Sequence, residues 1–330
     1  MRILLTHTPH ARLWYGEDAI HELRKLGEVV IRETDDEWSQ VQLIEAVSDV
    51  DVVVSDRSTP APAQLFNNCS RLLAFVRCAM DTKNIDIQAA SDNGILVTRA
   101  GPGFVPAVSE WIVGQMINLY RDIPRYAIDY RQGISPQPSM GRQLSGKTVG
   151  IVGFGNIGRY LCPILQALNV TVVIYDPFVD VSDTSVITAG FDELLKCSDI
   201  VVCLAAYNDK TEKMFNNNAF LLMKENACFI NASRGGLVDE EALINALDSG
   251  HISSAALDVG NDHDNLPTKS VAARNNVFAT PHIGGMVPEA IAFQAFQTVR
   301  QVRDIKNGLI PEGAINAEAK LRLKRVRPAS

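Results

Sequence analysis

Hydrophobic and polar positions alternate along the first hundred residues between two kinds of segment. Short apolar runs bounded by polar turns are typical of buried parallel strands. They lie near residues 2–6, 29–33, 51–55, 72–76 and 95–97. Between them stand amphipathic stretches with helical spacing, such as 17–26 and the stretch that Ser39 caps. This alternation predicts a parallel sheet covered by helices on both faces.

The pattern changes after residue 100, at a loop rich in glycine and proline. A long helical pattern then runs from about Val108 to Tyr120, and a second loop at 133–141 reads as a linker. From Lys147 to about Thr280 a second series of strands and helices follows. Pro288 opens a last helix, whose apolar residues recur with the helical period. We expect the polar tail, residues 322–330, to be loose.

These segments predict two doubly wound α/β domains, one inserted into the other. The inserted domain is formed by residues 101–286. The outer domain is formed by residues 1–100 and 287–330. The total of 330 residues, about twice a typical domain, agrees with this division.

The composition narrows the possible partners. Hydrophobic residues make up 46% and charged residues 21%, which is typical of a globular chain. A net charge of −7 and a pI near 5.4 argue against a nucleic-acid or membrane surface. The longest apolar run, 200–207, has only the length of a strand. Six cysteines without C-x-x-C spacing indicate reduced thiols and a cytoplasmic location, and we expect no metal site.

A glycine-rich turn carries the first chemical signal. An apolar strand at 148–152 runs into Gly153-Phe-Gly155-Asn-Ile-Gly158, a helical stretch follows, and the next strand ends in Asp176. The glycines permit a tight turn, close approach of a pyrophosphate, and close packing of helix on strand. The helix N-terminus offers unpaired N–H groups to the phosphates. Asp176 suits a ribose diol and repels a 2′-phosphate, which favours NAD over NADP.

Three later segments place polar groups where predicted strands end. They are Asn231-Ala-Ser-Arg234-Gly-Gly-Leu-Val-Asp-Glu240, the strand end at Asp258, and Thr280-Pro-His282-Ile-Gly-Gly285. With the glycine turn, these motifs resemble the D-isomer-specific 2-hydroxyacid dehydrogenases. The resemblance implies a Rossmann NAD-binding domain inserted in a flavodoxin-like substrate-binding domain. It also implies a homodimer, and an enzyme that interconverts a small 2-keto acid and a D-2-hydroxy acid.

That reaction explains the two central residue types. Arg234 presents a planar fork of donors to the substrate carboxylate and carbonyl oxygen. His282 is the side chain suited to exchanging a proton near neutral pH. The resemblance further implies that Asp258 bonds the nicotinamide amide and that Ala232 lines its pocket. It adds cofactor contacts at Asn156, Ile157, Thr211 and Gly284.

The loop after Asp258 departs from the family pattern. In the family, the carboxylate that pairs with the histidine lies in D-V-x-x-x-E-P. Here an ungapped count puts His263 in the glutamate position, between Asp262 and Asp264. We predict that Asp264 is the partner of His282 after a one-residue shift, and His263 and Asp262 remain alternatives.

The predicted substrate loop departs as well. Where the family has G-x-G, this chain has Ala79, Met80 and Asp81, and an asparagine of the family is replaced by Arg99. We expect these four residues to contact the substrate. Arg77 and Arg99 either bind a second anionic group or form ion pairs with Asp81, Asp86 or Asp92, which we favour. No particular substrate is carried over.

Two rival functions come from the same resemblance. One is an NAD(H)-sensing binding protein without catalysis, similar to the family's transcriptional corepressors. The other is a formate- or phosphite-type dehydrogenase. Because Arg234 and His282 are both present, the sequence favours the 2-keto acid reductase.

Overall fold

A computed structural model describes residues 1–178, 186–319 and 321–325. The chain forms two compact units, one of Met1–Gly103 with Pro288–Ser330 and one of Phe104–Val287. We call them the outer unit and the inserted unit. The sequence placed the two changes of unit after residues 100 and 286.

The outer unit contains five strands in one parallel sheet, in the order β2-β1-β3-β4-β5. This is the order of flavodoxin-like folds. Its elements are β1 (Arg2–Leu5), α1 (Pro9–Tyr15), α2 (Glu17–Leu26), β2 (Glu28–Ile31), α3 (Gln40–Ser48), β3 (Val52–Ser55), α4 (Ala63–Asn68), β4 (Ala74–Arg77), α5 (Ile87–Asp92) and β5 (Leu96–Arg99).

Both faces of this sheet are buried, as the continuous apolar runs predict. Along β1, Ile3 and Leu5 enter one core cluster while Leu4 enters the other, because successive side chains point to opposite faces. The long C-terminal helix Pro288–Lys306 covers the first face with Ala295, Val299, Val302 and Ile305. This contact explains why the apolar residues of the C-terminal helix recur with helical spacing.

The first residues of the polar tail form regular structure. The prediction that the chain is loose from residue 322 is therefore wrong for residues 322–325. Residues Arg322–Arg325 form a short 3-10 helix. Leu323 is buried in the core of the outer unit, and the Arg322 guanidinium donates to the carbonyl oxygens of Ser70 and Cys69. Residues 326–330 lie outside the described part of the chain.

The inserted unit contains a second parallel sheet, in the order β12-β11-β10-β9-β6-β7-β8. Its elements are α6 (Val105–Arg121), α7 (Ile123–Arg131), β6 (Thr148–Val152), α8 (Asn156–Ala167), β7 (Thr171–Tyr175), β8 (Ile187–Thr188), α9 (Phe191–Cys197), β9 (Ile200–Cys203), α10 (Asn217–Leu222), β10 (Ala227–Asn231), α11 (Glu240–Asp248), β11 (Ile252–Leu257), α12 (Lys269–Ala272) and β12 (Val277–Ala279). The helix Pro288–Lys306 of the outer unit is α13.

The order of this second sheet fixes where a ligand binds. The chain leaves β6 toward β7 on one side and returns to β9 on the other side, which makes the end of β6 a topological switch point. In open parallel sheets, ligands bind outside the carboxyl ends of the strands at such a point. The glycine-rich turn follows β6 directly. The predicted class, two doubly wound parallel-sheet domains, is confirmed.

Two further observations bear on the composition. Among the described residues, the structure has no helix that is both long and apolar enough to cross a membrane. All six cysteines are free, and five of them are buried while Cys197 is partly buried.

Candidate active site

The glycine turn after β6 has the geometry that each glycine was predicted to serve. Gly153 has a φ of +102°, and a Cβ there would lie 2.6 Å from backbone atoms of Leu204 and Ala205. A Cβ on Gly158 would lie 2.9 Å from the carbonyl oxygen of Gly153, so α8 packs closely on the turn. Gly155 is exposed, with nothing within 4 Å of its would-be Cβ. The side of the turn at Gly155 is therefore open.

The N-terminus of α8 lies on that open side. Asn156 is its first residue and Ile157 its second, Gly155 is its N-cap, and no side chain caps it. The first turn also contains no acidic residue. Its N–H groups and the positive end of the helix dipole therefore suit a phosphate group.

Asp176 follows β7 directly and is hydrogen-bonded to the glycine turn. Its carboxylate accepts hydrogen bonds from the backbone N–H groups of Phe154, at 2.7 Å, and Phe178, at 2.9 Å. The side chain is half-buried. Each carboxylate oxygen keeps accepting capacity for a further donor, such as a ribose hydroxyl.

Two other predicted cofactor residues have different surroundings. The Thr211 hydroxyl donates to the carbonyl oxygen of Ala206 at 2.7 Å and accepts from the N–H of Asn208 at 2.9 Å. It therefore closes the loop that follows β9. Ala232 is half-buried at the end of β10, against the apolar cluster between the sheet and α6.

The backbone that carries Arg234 is held from two sides. The buried Asn231 side chain donates to the Arg234 carbonyl oxygen at 3.0 Å and accepts from the Ser233 N–H at 3.0 Å. On the other side, a Cβ on Gly235 would lie 2.0 Å from the carbonyl oxygen of Gly260. Only glycine fits there, and the two loops are consequently packed backbone against backbone.

The Arg234 side chain itself is exposed. Its Nη1 donates to the Ser233 carbonyl oxygen at 2.6 Å. Within the described residues, no carboxylate forms an ion pair with this guanidinium, although eleven other ion pairs are present. Among the described residues, the Arg234 guanidinium therefore keeps most of its N–H donors for a ligand.

His282 lies in a loop that Asp258 anchors. Asp258 is buried, and its Oδ1 accepts from the Thr280 hydroxyl at 2.6 Å and from the Ile283 N–H at 2.8 Å. Its Oδ2 accepts from the Gly284 N–H at 2.7 Å. His282, between these donors, is half-buried and adopts a left-handed φ of +55°. Positive φ at a residue other than glycine is uncommon and is concentrated at functional sites.

The predicted pairing of Asp264 with His282 is wrong for this structure. Asp264 carries a φ of +57° in a surface turn, and its side chain is 79% exposed. Its Oδ2 lies 3.1 Å from Nδ1 of His263, so the neighbours pair with each other. The turn closes on itself, because the Gly260 N–H donates to the Asn265 carbonyl oxygen at 2.7 Å. Asp262 is used inside this turn, accepting from the His263 N–H.

The predicted substrate loop follows β4 in the outer unit. Ala79 is buried, and its carbonyl oxygen accepts from the Ala100 N–H at 3.1 Å. Met80 and Asp81 are half-buried. A backbone hydrogen bond from Lys83, together with the charge of Arg57 3.7 Å away, holds the pKa of Asp81 below its usual range.

Arg77 fulfils neither of the two predicted roles. It is fully buried, and its guanidinium donates to the carbonyl oxygens of Asp56 and Thr59 and to Oδ1 of Asn84. Burial lowers its pKa to about 10. Arg99, by contrast, is exposed, and the described residues provide no carboxylate partner for it. Sequence reasoning missed Arg57, which pairs with Asp81 and follows β3.

Comparison with known proteins identifies the family of this chain. Residues 113–284 match the family described as D-isomer specific 2-hydroxyacid dehydrogenase, NAD binding domain. A hydroxypyruvate reductase of Thermotoga maritima is 31% identical, covering 78% of this chain and 85% of that protein. A glyoxylate reductase of Pyrococcus furiosus is 31% identical, covering 92% and 93%.

Other relatives are longer than this chain. A D-3-phosphoglycerate dehydrogenase of Methanocaldococcus jannaschii is 30% identical over 96% of this chain. The chain spans only 59% of the length of that protein. Among solved structures, that of a D-2-hydroxyisocaproate dehydrogenase shares the fold, with a TM-score of 0.85 and 20% identity over 96% of this chain and 100% of that one.

Proposed function

The chain belongs to the D-isomer specific 2-hydroxyacid dehydrogenase family, and we propose that it is an NAD-dependent oxidoreductase interconverting a 2-keto acid and a D-2-hydroxy acid. One observation carries the proposal. Asn231, Leu257 and Ala279 lie in register on β10, β11 and β12. The registered strand ends Asn231 and Ala279 are two strand spacings, or about 10 Å, apart, and Arg234 and His282 each follow their strand end by three residues. A guanidinium and an imidazole are thus carried by two loops that leave the same edge of the sheet.

Reduction of a 2-keto acid needs a hydride, a group that binds the substrate carboxylate, and a proton donor. Bound NAD supplies or accepts the hydride. Arg234 binds the substrate carboxylate and polarises the carbonyl oxygen through its remaining N–H donors. His282 donates a proton to that oxygen during reduction and removes it during oxidation. The glycine turn, the N-terminus of α8 and Asp176 would hold the pyrophosphate and the adenosine ribose, and their geometry fits both.

A second copy of the chain is part of this proposal. None of the side chains of α7 is buried, and Tyr130 on that helix is 68% exposed. Further exposed apolar residues occur before, on and after it, namely Ile117, Ile123, Ile128, Ile134 and Met140. Several exposed apolar side chains on one segment favour an interface with a partner. The crossing helix that precedes this segment, near residues 106–121, resembles the family's dimer arm, and we propose a homodimer.

Turnover tests the function directly. We expect the protein to oxidise NADH in the presence of at least one member of a panel containing glyoxylate, hydroxypyruvate and larger 2-keto acids. The measurement is the loss of NADH absorbance, with NADH binding followed separately by fluorescence. If NADH binds and no member of the panel is reduced, the enzyme proposal fails and a sensing role replaces it.

Cofactor preference tests Asp176. Replacing it by asparagine keeps an acceptor for the Phe154 N–H and removes the charge that opposes a 2′-phosphate. We expect the ratio of kcat/KM with NADH to that with NADPH to fall by about tenfold, or about 1.4 kcal/mol. Asp176→Ala is the comparison, since it also removes the support of the glycine turn. An unchanged ratio in Asp176→Asn contradicts the ribose contact.

A further inference from the structure

Asp258 has an unusual set of partners for a buried carboxylate. Only 3% of the residue is exposed, and among the described residues no arginine, lysine or histidine forms an ion pair with it. Its hydrogen-bond donors are instead one hydroxyl and two backbone N–H groups, all from the loop Thr280–Gly284. A buried carboxylate is costly unless its oxygens are hydrogen-bonded. This loop and the carboxylate therefore stabilise each other.

The donors bracket His282. Thr280 precedes it by two residues, and Ile283 and Gly284 follow it. The His282 N–H donates to the Thr280 carbonyl oxygen at 2.9 Å, which closes the bend. A left-handed backbone at a histidine persists only where the surroundings determine it on both sides. Here the Asp258 carboxylate accepts hydrogen bonds from residues on both sides of His282.

The arrangement leaves Asp258 little capacity for other ligands. Oδ1 already accepts two hydrogen bonds, and each carboxylate oxygen has two lone pairs. Oδ2 accepts one, from Gly284, where a Cβ would lie 2.8 Å away. A nicotinamide amide can therefore reach only Oδ2, while Oδ1 belongs entirely to the histidine loop.

We propose that Asp258 and Thr280 are positioning residues, and that the Thr280 hydroxyl bonded to Oδ1 of Asp258 sets the orientation of the His282 imidazole for proton transfer. The proposal rests on the proposed function. The Thr280 hydroxyl donates to Asp258, so Thr280 acts on the His282 imidazole through the loop. Oδ1 accepts only from the loop, whereas Oδ2 accepts from Gly284 and keeps spare capacity, so a change at Oδ1 should affect proton transfer more than cofactor binding.

The test uses a matched pair of variants in the full-length protein. Thr280→Val keeps the shape of the side chain and removes the donor, whereas Thr280→Ser keeps the donor. We expect Thr280→Val to lower kcat by about 10- to 100-fold, the range in which small misplacements of a catalytic group fall. The Kd for NADH should stay within about twofold, a change of about 0.4 kcal/mol. Thr280→Ser should restore most of kcat. The alkaline limb of the pH–rate profile for reduction, where the proton that His282 donates is lost, should shift in Thr280→Val alone.

A second measurement is independent of turnover. Amide hydrogen exchange at Ile283 and Gly284 should accelerate in Thr280→Val and Asp258→Asn and remain slow in Thr280→Ser, because those N–H groups depend on the carboxylate. Wild-type kcat in Thr280→Val, or equal losses in the valine and serine variants, overturns the positioning role. Slow exchange in Thr280→Val overturns it even if no 2-keto acid is reduced. Accelerated exchange without any turnover in the wild type leaves the anchor standing and removes only the proposed function.

Discussion

Replacing Arg234 by methionine is expected to lower kcat/KM for the 2-keto acid by about 10³-fold or more, since two charge-assisted hydrogen bonds are worth about 1.5–3 kcal/mol each. The surroundings of Arg234 indicate that this substitution removes the guanidinium without disturbing the loop. The Arg234 side chain is exposed, and the hydrogen bond that it forms within the described part of the chain runs to the carbonyl oxygen of the preceding residue. The backbone of the loop is held by Asn231 and by the contact of Gly235 with Gly260, neither of which the substitution touches.

Arg234→Lys refines the same prediction. Lysine keeps the charge and loses the planar fork, so it cannot bind the carboxylate and the carbonyl oxygen together. We expect a loss of about 10²-fold, intermediate between wild type and methionine. NADH affinity should change little in either variant. Steady-state kinetics and NADH fluorescence measure the two quantities.

A matched arginine provides the control. Arg274 lies in the same unit and pairs with Asp248 at 2.7 Å on the surface. Arg274→Met should alter kcat/KM by less than about twofold, because exposed ion pairs contribute only about 0–1 kcal/mol. Activity of Arg234→Met within tenfold of wild type would contradict the substrate-binding role.

How well the sequence predicted each element depends on what that element buries. The predicted helix at 17–26 matches α2, and Ser39 caps α3, because in both cases an amphipathic stripe and a local end signal coincide. The structure adds α1 and α7, which the sequence did not predict. Only Tyr15 of α1 is buried, and α7 buries no side chain at all. Hydrophobic periodicity predicts helices that pack on a core, and these two helices contribute little to the core of their units.

The candidate site also contains features that the sequence could predict and features that it could not. The glycine turn was predictable because steric demands on three backbone positions leave a fixed spacing in the sequence. The partner of His282 was not predictable from spacing. In the 260–266 turn, four backbone hydrogen bonds and two left-handed residues, Asp264 and Asn265, determine the direction of the Asp264 side chain.

Arg77 was ambiguous for a different reason. A guanidinium that joins buried carbonyl oxygens and one that binds a ligand anion present the same residue type at the same strand end. What separates them is the path of neighbouring loops. The loop after β3 brings the carbonyl oxygens of Asp56 and Thr59 to Arg77, and the full burial of Arg77 follows from that long-range contact.

His282 requires a substitution that respects its backbone. Asparagine adopts left-handed φ more readily than most residues other than glycine, whereas alanine does not. His282→Asn therefore removes the imidazole while keeping the φ of +55° that the Asp258 anchor imposes. We expect kcat to fall by about 10²- to 10⁴-fold, the usual contribution of a general acid–base group. The Kd for NADH should be unchanged, and the pH–rate limb that His282 produces should disappear.

Two further variants decide whether the imidazole or the loop is responsible for that loss. His282→Ala removes both the imidazole and the compatible backbone, so a loss of NADH affinity in this variant alone would measure the contribution of the loop. His263→Asn is the matched control, because His263 is 88% exposed and paired with Asp264 rather than with the anchored loop. It should leave the pH–rate profile unchanged. If His263→Asn abolished the limb and His282→Asn preserved it, proton transfer would have to be assigned to the 260–266 turn, and the anchored histidine would be structural.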